Sequence, residues 1–539
     1  MRPYQSLSLF SLVAILLLSH CAGKKEAPRF ELLGSDKTGI RFQNKLVPTG
    51  DMNIFNYMYF YNGGGVAVGD LNGDDLPDVY FTSNQEENKL YLNKGDFKFE
   101  DITQKAGVAG DPGWTTGVTM ADVNGDGRLD IYVSQLGQHL KFRGRNQLYI
   151  NMGNDPDGVP VFENQASQYG LDLVGYATQA AFFDYDLDGD LDMYMLNHTV
   201  HRNGTFGYMK DLRYKNHPTA GDRLLRNDGG FFTDVTKESG IYSSVIGFGL
   251  GISTADLNLD GYPDVYVGND FHEDDYLYLN NGDGTFREVL RESMQHTSRF
   301  SMGNDVGDIN NDGFSDIVSL DMLPIDPVML KMSAAEDPID VYRFKLNYGY
   351  AHQFARNTLQ LNRGAVPGDN PLQPGVRFSE IGLQAGVAAT DWSWTALFMD
   401  MDNDGWNDLF ISNGIQRRSN DMDYINYVVA DSIQAQLADE VISDRNLKIA
   451  DLMPEIKLPN FAYRNNGDLT FSDASADWGF ELPSFSHGTA YADFDNDGDL
   501  DLVINNVNDE ASLYRNLTKE SACQDCNHLK ISFKGNAPN

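Results

Sequence analysis

Seven short stretches of this chain share one acidic pattern, and that repetition constrains the fold more than any other feature. In the copy DYDLDGDLD, carboxylates stand at positions 1, 3, 5 and 9 (Asp184, Asp186, Asp188, Asp192), with Gly189 at position 6 and Asp190 at position 7. A hard divalent cation takes six to eight oxygens at about 2.3–2.6 Å, and side chains at alternate positions of a tight turn converge on one point. The position-7 carbonyl adds one more oxygen, and glycine at position 6 permits a left-handed turn. The spacing predicts a calcium loop.

The other six copies keep the register. Positions 1, 3, 5, 7 and 9 are Asp70, Asn72, Asp74, Leu76 and Asp78 in the first copy and Asp122, Asn124, Asp126, Arg128 and Asp130 in the second. They are Asp256, Asn258, Asp260, Tyr262 and Asp264 in the fourth, and Asp308, Asn310, Asp312, Phe314 and Asp316 in the fifth. The last two copies supply Asp400, Asp402, Asp404, Trp406 and Asp408, then Asp493, Asp495, Asp497, Asp499 and Asp501. Position 7 acts through its carbonyl. Position 6 is Gly except in the first copy, where Asp75 belongs to the few residue types that tolerate the left-handed region. A lone copy reads equally well as a solvated acidic turn; seven in one register do not.

Each loop sits in the same local sentence. Five residues before it stand Gly65, Gly117, Gln179, Gly251, Gly303, Thr395 and Gly488, so the preceding strand passes close to other backbone. An apolar strand follows, such as VYV from Val265, which makes the loop a hairpin turn. A third strand ends in Asn (Asn93, Asn151, Asn227, Asn280, Asn362, Asn465, Asn516). A fourth begins with Phe (Phe99, Phe162, Phe232, Phe286, Phe378, Phe471) and is missing after the seventh loop. Phe30–Leu33 at the other end of the chain supplies the missing strand. Seven four-stranded units completed by the N-terminal strand predict an all-β, seven-bladed propeller over residues 30–520, in which ring closure hides the sheet edges. Three insertions, 198–221, 321–356 and 414–459, interrupt the repeat. A helix is expected near Val341 and another through Val428–Ile442. Such insertions commonly carry binding and together are expected to cap part of the ring.

The chain carries 78 acidic and 41 basic residues, a formal charge of -37, which argues against nucleic acid as a partner. It is not a disordered composition, because 41% of the residues are hydrophobic. Residues 1–20, with the apolar run Leu7–Leu18, read as a secretory signal too short to span a bilayer comfortably. Residues 21–29 read as a tether. Cys523 and Cys526 suit a small local disulfide or two idle thiols rather than zinc.

The words VGNDFHEDDYLYLNNGDGTF (Val267–Phe286), GDINNDGFSDIVSLDMLP (Gly307–Pro324), FMDMDNDGWNDLFISNGI (Phe398–Ile415) and YADFDNDGDLDLVINN (Tyr491–Asn506) resemble the FG-GAP/VCBS-repeat propellers, in the branch that precedes an ASPIC/UnbV domain. Residues 521–539 resemble the start of that domain, cut short. The apolar run ending at Cys21 resembles a bacterial lipoprotein signal, which implies lipidation of Cys21, an outer-membrane location and membrane contact through the lipid alone. His20 departs from the small residue usual there. The resemblance implies structural Ca²⁺, up to seven ions, and an interaction platform for glycan or protein ligands, with an outer-membrane uptake complex as a further partner. It does not imply an enzyme.

The alternative is a polysaccharide lyase on a calcium propeller, which needs a base beside a neutralised uronate. Candidates are His198, His201 and His217, each of which reads equally as a surface or packing residue. Trp114, Trp392 and Trp394 suit sugar stacking or blade core; Arg356, Arg417 and Arg418 suit an acidic ligand or internal ion pairs. No GxSxG, HExxH or Walker motif is present.

Overall fold

The computed structural model describes residues 28–521 except 112, 141, 200–208, 335–336, 367–374 and 439. Cys21, His201, Arg202, Cys523 and Cys526 lie outside the described residues. Seven four-stranded sheets follow one another along the chain, each an antiparallel meander. Blade 1 comprises Val66–Gly69, Asp78–Phe81, Lys89–Asn93 and Phe99–Asp101; blade 2 Trp114–Ala121, Asp130–Leu136, Gln147–Asn154 and Pro160–Asn164. Blade 3 holds Ala177–Phe183, Asp192–Asn197, Arg223–Asn227 and Phe232–Asp234; blade 4 Gly249–Ala255, Asp264–Asn269, Tyr276–Asn280 and Phe286–Glu288. Blade 5 holds Asn304–Gly307, Asp316–Ser319, Thr358–Val366 and Gly375–Glu380; blade 6 Ser393–Met399, Asp408–Asn413, Phe461–Asn465 and Phe471–Asp473. Blade 7 takes Ser486–Ala492, Asp501–Asn506 and Ser512–Asn516, and its outer strand is Phe30–Leu33, paired in register from Phe30 with Asn516 to Leu33 with Leu513. The innermost strands of successive blades pack in sequence and blade 1 meets blade 7, so the ring is closed as the repeat pattern predicts.

The second strand of each blade is buried on both faces, because side chains alternate across a sheet sandwiched between two others. In blade 1, Val79 and Phe81 join the core shared with Val503 and Phe494 of blade 7, whereas Tyr80 joins Val118, Ile131 and Val133 of blade 2. Around the axis several inner-strand glycines lie too close to the next blade's backbone to carry a side chain. A Cβ on Gly303 would lie 1.9 Å from the Trp394 carbonyl oxygen, and one on Gly117 would lie 2.5 Å from that of Thr178.

In a meander the first and third turns fall at one end of the sheet, and the second turn and the link to the next blade at the other. The acidic loops are all first turns. The insertions, between Asn197 and Arg223, Ser319 and Thr358, and Asn413 and Phe461, are all second turns and lie on the opposite face. The blade 5 and blade 6 insertions touch through a Ser333–Asp421 bridge. The helix near Val341 spans Ile339–Tyr348. The single helix expected through Val428–Ile442 is instead three short ones, Met422–Val428, Asp431–Leu437 and Ile442–Asp451. The β-branched pair Val428–Val429 ends the first, and Ala430 turns extended to start the second.

Two features lie beyond the sequence reading. A one-turn helix follows the fourth strand of all seven blades, as at Thr103–Ala106 with Gly107 left-handed behind it and at Ser35–Thr38 after the Phe30–Leu33 strand. In addition, the segment before blade 1 folds over the axis on the insertion face. Its Tyr57, Tyr59, Phe60 and Tyr61 are buried in one core with Trp114, Tyr176, Phe248, Met302, Trp392 and Phe485, which come from blades 2 to 7.

Candidate functional site: the acidic loops and the opposite face

All seven loops close by the same hydrogen bonds. The position-1 carboxylate accepts the backbone N–H groups of positions 5 and 6; in blade 6, Asp400 takes those of Asp404 and Gly405 at 3.0 and 2.8 Å. The position-5 carboxylate accepts the N–H of position 7, as Asp404 does from Trp406 at 3.1 Å. Position 6 is left-handed throughout, including Asp75 at φ 67°.

Position 9 works differently from a simple ligand. Asp408 is fully buried; its Oδ1 accepts the N–H of Asn465 at 2.8 Å and its Oδ2 the N–H of Met401 at 3.0 Å. The same pair of bonds recurs at Asp78, Asp130, Asp192, Asp264, Asp316 and Asp501. Burial pushes these carboxyls up, to about 7 at Asp78 and about 8 at Asp408, against the opposing pull of the backbone N–H groups. Position 9 therefore fastens the first turn to the third strand in its own right. In every blade but the third, where Asn227 Nδ2 donates to Leu191 of its own loop, the amide of the third-strand Asn then crosses to the preceding blade. Asn465 Nδ2 donates to the position-2 carbonyl of Ile309 at 2.8 Å, and Asn516 to that of Met401 at 3.0 Å.

The carboxylates converge most closely in blades 3, 6 and 7. One oxygen each of Asp184, Asp186 and Asp192, of Asp400, Asp402 and Asp404, and of Asp493, Asp495 and Asp497 lies within 4.8 Å of the other two in its group. Oδ1 of Asp186, Asp402 and Asp495 is buried and accepts no hydrogen bond. An all-oxygen donor set with an unsatisfied buried oxygen fits a hard cation. In blades 1, 2, 4 and 5 the position-3 residues Asn72, Asn124, Asn258 and Asn310 instead donate Nδ2 to the position-5 carboxylates.

On the opposite face the ring encloses an axial cavity of about 170 Å³, lined by Gly65, Gly117, Gln179, Gly303, Thr395 and Gly488 and covered by Tyr57 and Tyr59. His487 borders it, its ring 4.8 Å from that of Trp394; burial holds its imidazole at about 3, so it is neutral. His198 is only 4% exposed, meets the Tyr57 hydroxyl at 3.2 Å, and is pushed down to about 4 by burial. It is a packing residue rather than a base poised near neutrality. Nδ1 of His217 caps the turn at Thr219. Trp114 and Trp392 are core residues, and Trp394 is half-buried with its indole N–H on the Gly414 carbonyl at 2.7 Å. Arg418 is buried on Asp391 at 2.6 Å, Arg356 pairs with Glu380, and Arg417 with Asp451 and Glu455. These side chains take the internal roles left open above. Sequence reasoning missed the covering segment; its only signal is the aromatic-rich run FNYMYFY (Phe55–Tyr61), in a stretch with no strand alternation.

Residues 51–133 and 256–319 match the FG-GAP-like repeat. The chain is 29% identical over 138 residues to cartilage acidic protein 1 of Xenopus tropicalis, covering 25% of this chain and 20% of that one. It is 27% identical over 188 residues to the Homo sapiens cartilage acidic protein 1 (32% of this chain, 26% of the other). It is 24% identical over 236 residues to the T-cell immunomodulatory protein of Rattus norvegicus (41% and 34%). The chain thus spans between a fifth and about a third of the length of these curated relatives. Among the described residues no helix is long and apolar enough to cross a membrane. The ring is a seven-bladed β-propeller, and two stretches of it match the FG-GAP-like repeat.

Proposed function

We propose that this chain is an exported, calcium-stabilised, non-catalytic platform that binds a glycan or protein ligand on its insertion face. The observation that carries the reading is the division of labour between the two ends of the ring. Every acidic loop lies at one end, and every long insertion, with the aromatic cover, lies at the other. Asp and Asn at positions 1, 3, 5 and 9 and the position-7 carbonyl would hold Ca²⁺ in each loop, where the ion supplies structural cross-linking of the first hairpin. The insertion face also carries exposed apolar side chains, among them Val328, Ile339, Phe344, Val429, Val441 and Ile442, in the blade 5 and blade 6 insertions that meet at the Ser333–Asp421 bridge. Export, attachment through a lipidated Cys21 to an outer membrane, and cooperation with an uptake complex belong to the same proposal and rest on the signal-like N-terminal sequence. The lyase alternative loses His198 as a base, since that residue is buried and neutral, and Nδ1 of His217 accepts the Thr219 N–H.

Glycan and protein arrays test the platform. The intact chain is expected to retain a ligand that a variant with residues 422–451 replaced by a short Gly/Ser linker loses, while both keep the same melting temperature within a few degrees. Appearance of unsaturated-uronate absorbance on acidic polysaccharides would sink the non-catalytic reading.

A further inference from the structure

The seven loops differ at position 3, and a residue elsewhere in the same blade follows that difference without exception. Where position 3 is Asn, the residue before the closing Asn of the third strand is aliphatic: Asn72 goes with Leu92, Asn124 with Ile150, Asn258 with Leu279 and Asn310 with Leu361. Where position 3 is Asp, that residue is arginine: Asp186 goes with Arg226, Asp402 with Arg464 and Asp495 with Arg515. Each added negative charge is matched by an added positive one.

The geometry gives the pairing a purpose. Arg464 Nε lies 2.9 Å from Asp402 Oδ2, and its terminal nitrogen 3.1 Å from Asp404 Oδ2. Arg515 lies 3.2 Å from Asp495 Oδ2. Arg226 pairs with Asp228 at 2.8 Å and sits within electrostatic reach of Asp186. In blades 6 and 7 the arginine takes Oδ2 of the position-3 carboxylate, and in all three blades Oδ1 is buried without a donor. Asp402 as a whole is only 7% exposed. A buried carboxylate oxygen with no donor is costly, and here it stands among further carboxylates within 4.8 Å, an arrangement a cation relieves and a neutral partner does not. The asparagine loops have no such deficit: the amide of position 3 donates to the position-5 carboxylate at 2.9–3.1 Å, so the two ligands satisfy each other.

We propose that the ring holds two classes of divalent-cation site: three tight sites in blades 3, 6 and 7, and four weaker ones in blades 1, 2, 4 and 5. In the tight sites the arginine is a positioning residue. In blades 6 and 7 it holds one oxygen of the position-3 carboxylate so that the other faces the cation; in all three blades, Arg226 of blade 3 included, it offsets the charge that four carboxylates would otherwise concentrate. In the weak sites the amide must release position 5 before that oxygen can serve a metal. This deepens the calcium reading above and rests on it.

Equilibrium dialysis or calorimetry with Ca²⁺ alone, on the chelator-stripped full chain, decides the matter. Three ions are expected to bind at least about tenfold more tightly than the remainder, since ligand charge and pre-organisation tune such loops. The charge-neutral double change Asp402→Asn with Arg464→Leu converts blade 6 to the asparagine class and is expected to leave two tight ions. If that variant does not fold, Arg464→Lys keeps the charge and loses the fork; it is expected to weaken one tight site while melting in chelator is unchanged. Seven equivalent sites, or three tight sites persisting in the variants, would overturn the two-class proposal and leave structural calcium standing. No cation binding at all would overturn both.

Discussion

A single carboxylate shows how much of a loop is visible in one dimension. The pattern of Asp and Gly gave the turn, its left-handed sixth residue and its set of converging oxygens. It did not give the double bond at position 9, because the partner strand arrives 57 residues after Asp408 in blade 6 and 15 after Asp78 in blade 1. No local spacing encodes such a contact. Asp408→Ala should therefore destabilise the protein even in chelator, by about 3 kcal/mol, because two buried backbone N–H groups lose their acceptor. Asp404→Ala, at an exposed position, should cost well under half of that in chelator and show its main effect only when calcium is added. Equal losses for the two variants in chelator, measured by denaturant unfolding, would refute the structural role of position 9.

At the level of elements, the strand that closes the ring was readable as a missing piece: six Phe-led fourth strands for seven loops, and one orphan at Phe30. Phe30 is buried, its ring 5.0 Å from that of Phe480 and 6.5 Å from that of Trp478. Phe30→Ala is expected to cost about 3–5 kcal/mol in equilibrium unfolding, the range for a buried aromatic truncated in a packed core. A loss below about 1 kcal/mol would mean that the N-terminal strand does not hold the last blade. The one-turn helices were legible in principle, since a helix-closing Gly recurs after all but one of the Phe-led fourth strands, as in TQKAGV and LQAGV, blade 4 having Met294 there instead. The aromatic cover was not. Its partners are contributed by six different blades, so no stretch of sequence holds enough of them to signal the packing.

The whole ring adds connections that no single blade has. Asn311 donates to the Gly405 carbonyl of the next loop at 3.1 Å, Asn403 to Gly498 at 3.2 Å, and Asn496 to Asp75 at 2.9 Å across the seam between the last blade and the first. In the remaining loops the equivalent position is Gly73, Gly125, Leu187 or Leu259. Ions that bind only the folded ring stabilise it by mass action, about 1–3 kcal/mol per site at concentrations ten- to a hundredfold above Kd. Chelation should accordingly lower the melting temperature, and calcium should restore it better than magnesium, which prefers a tighter octahedron. A melting temperature indifferent to chelator would remove the structural role assigned to the loops.

Both described ends of the chain leave the molecule beside those loops. Arg29 donates to the Thr518 hydroxyl at 2.8 Å and lies 4.0 Å from Asp402, while the N–H of Lys519 reaches Asp499 at 3.0 Å. Anything joined at either terminus would pull on the acidic-loop end of the wheel, with the helical crown facing the other way.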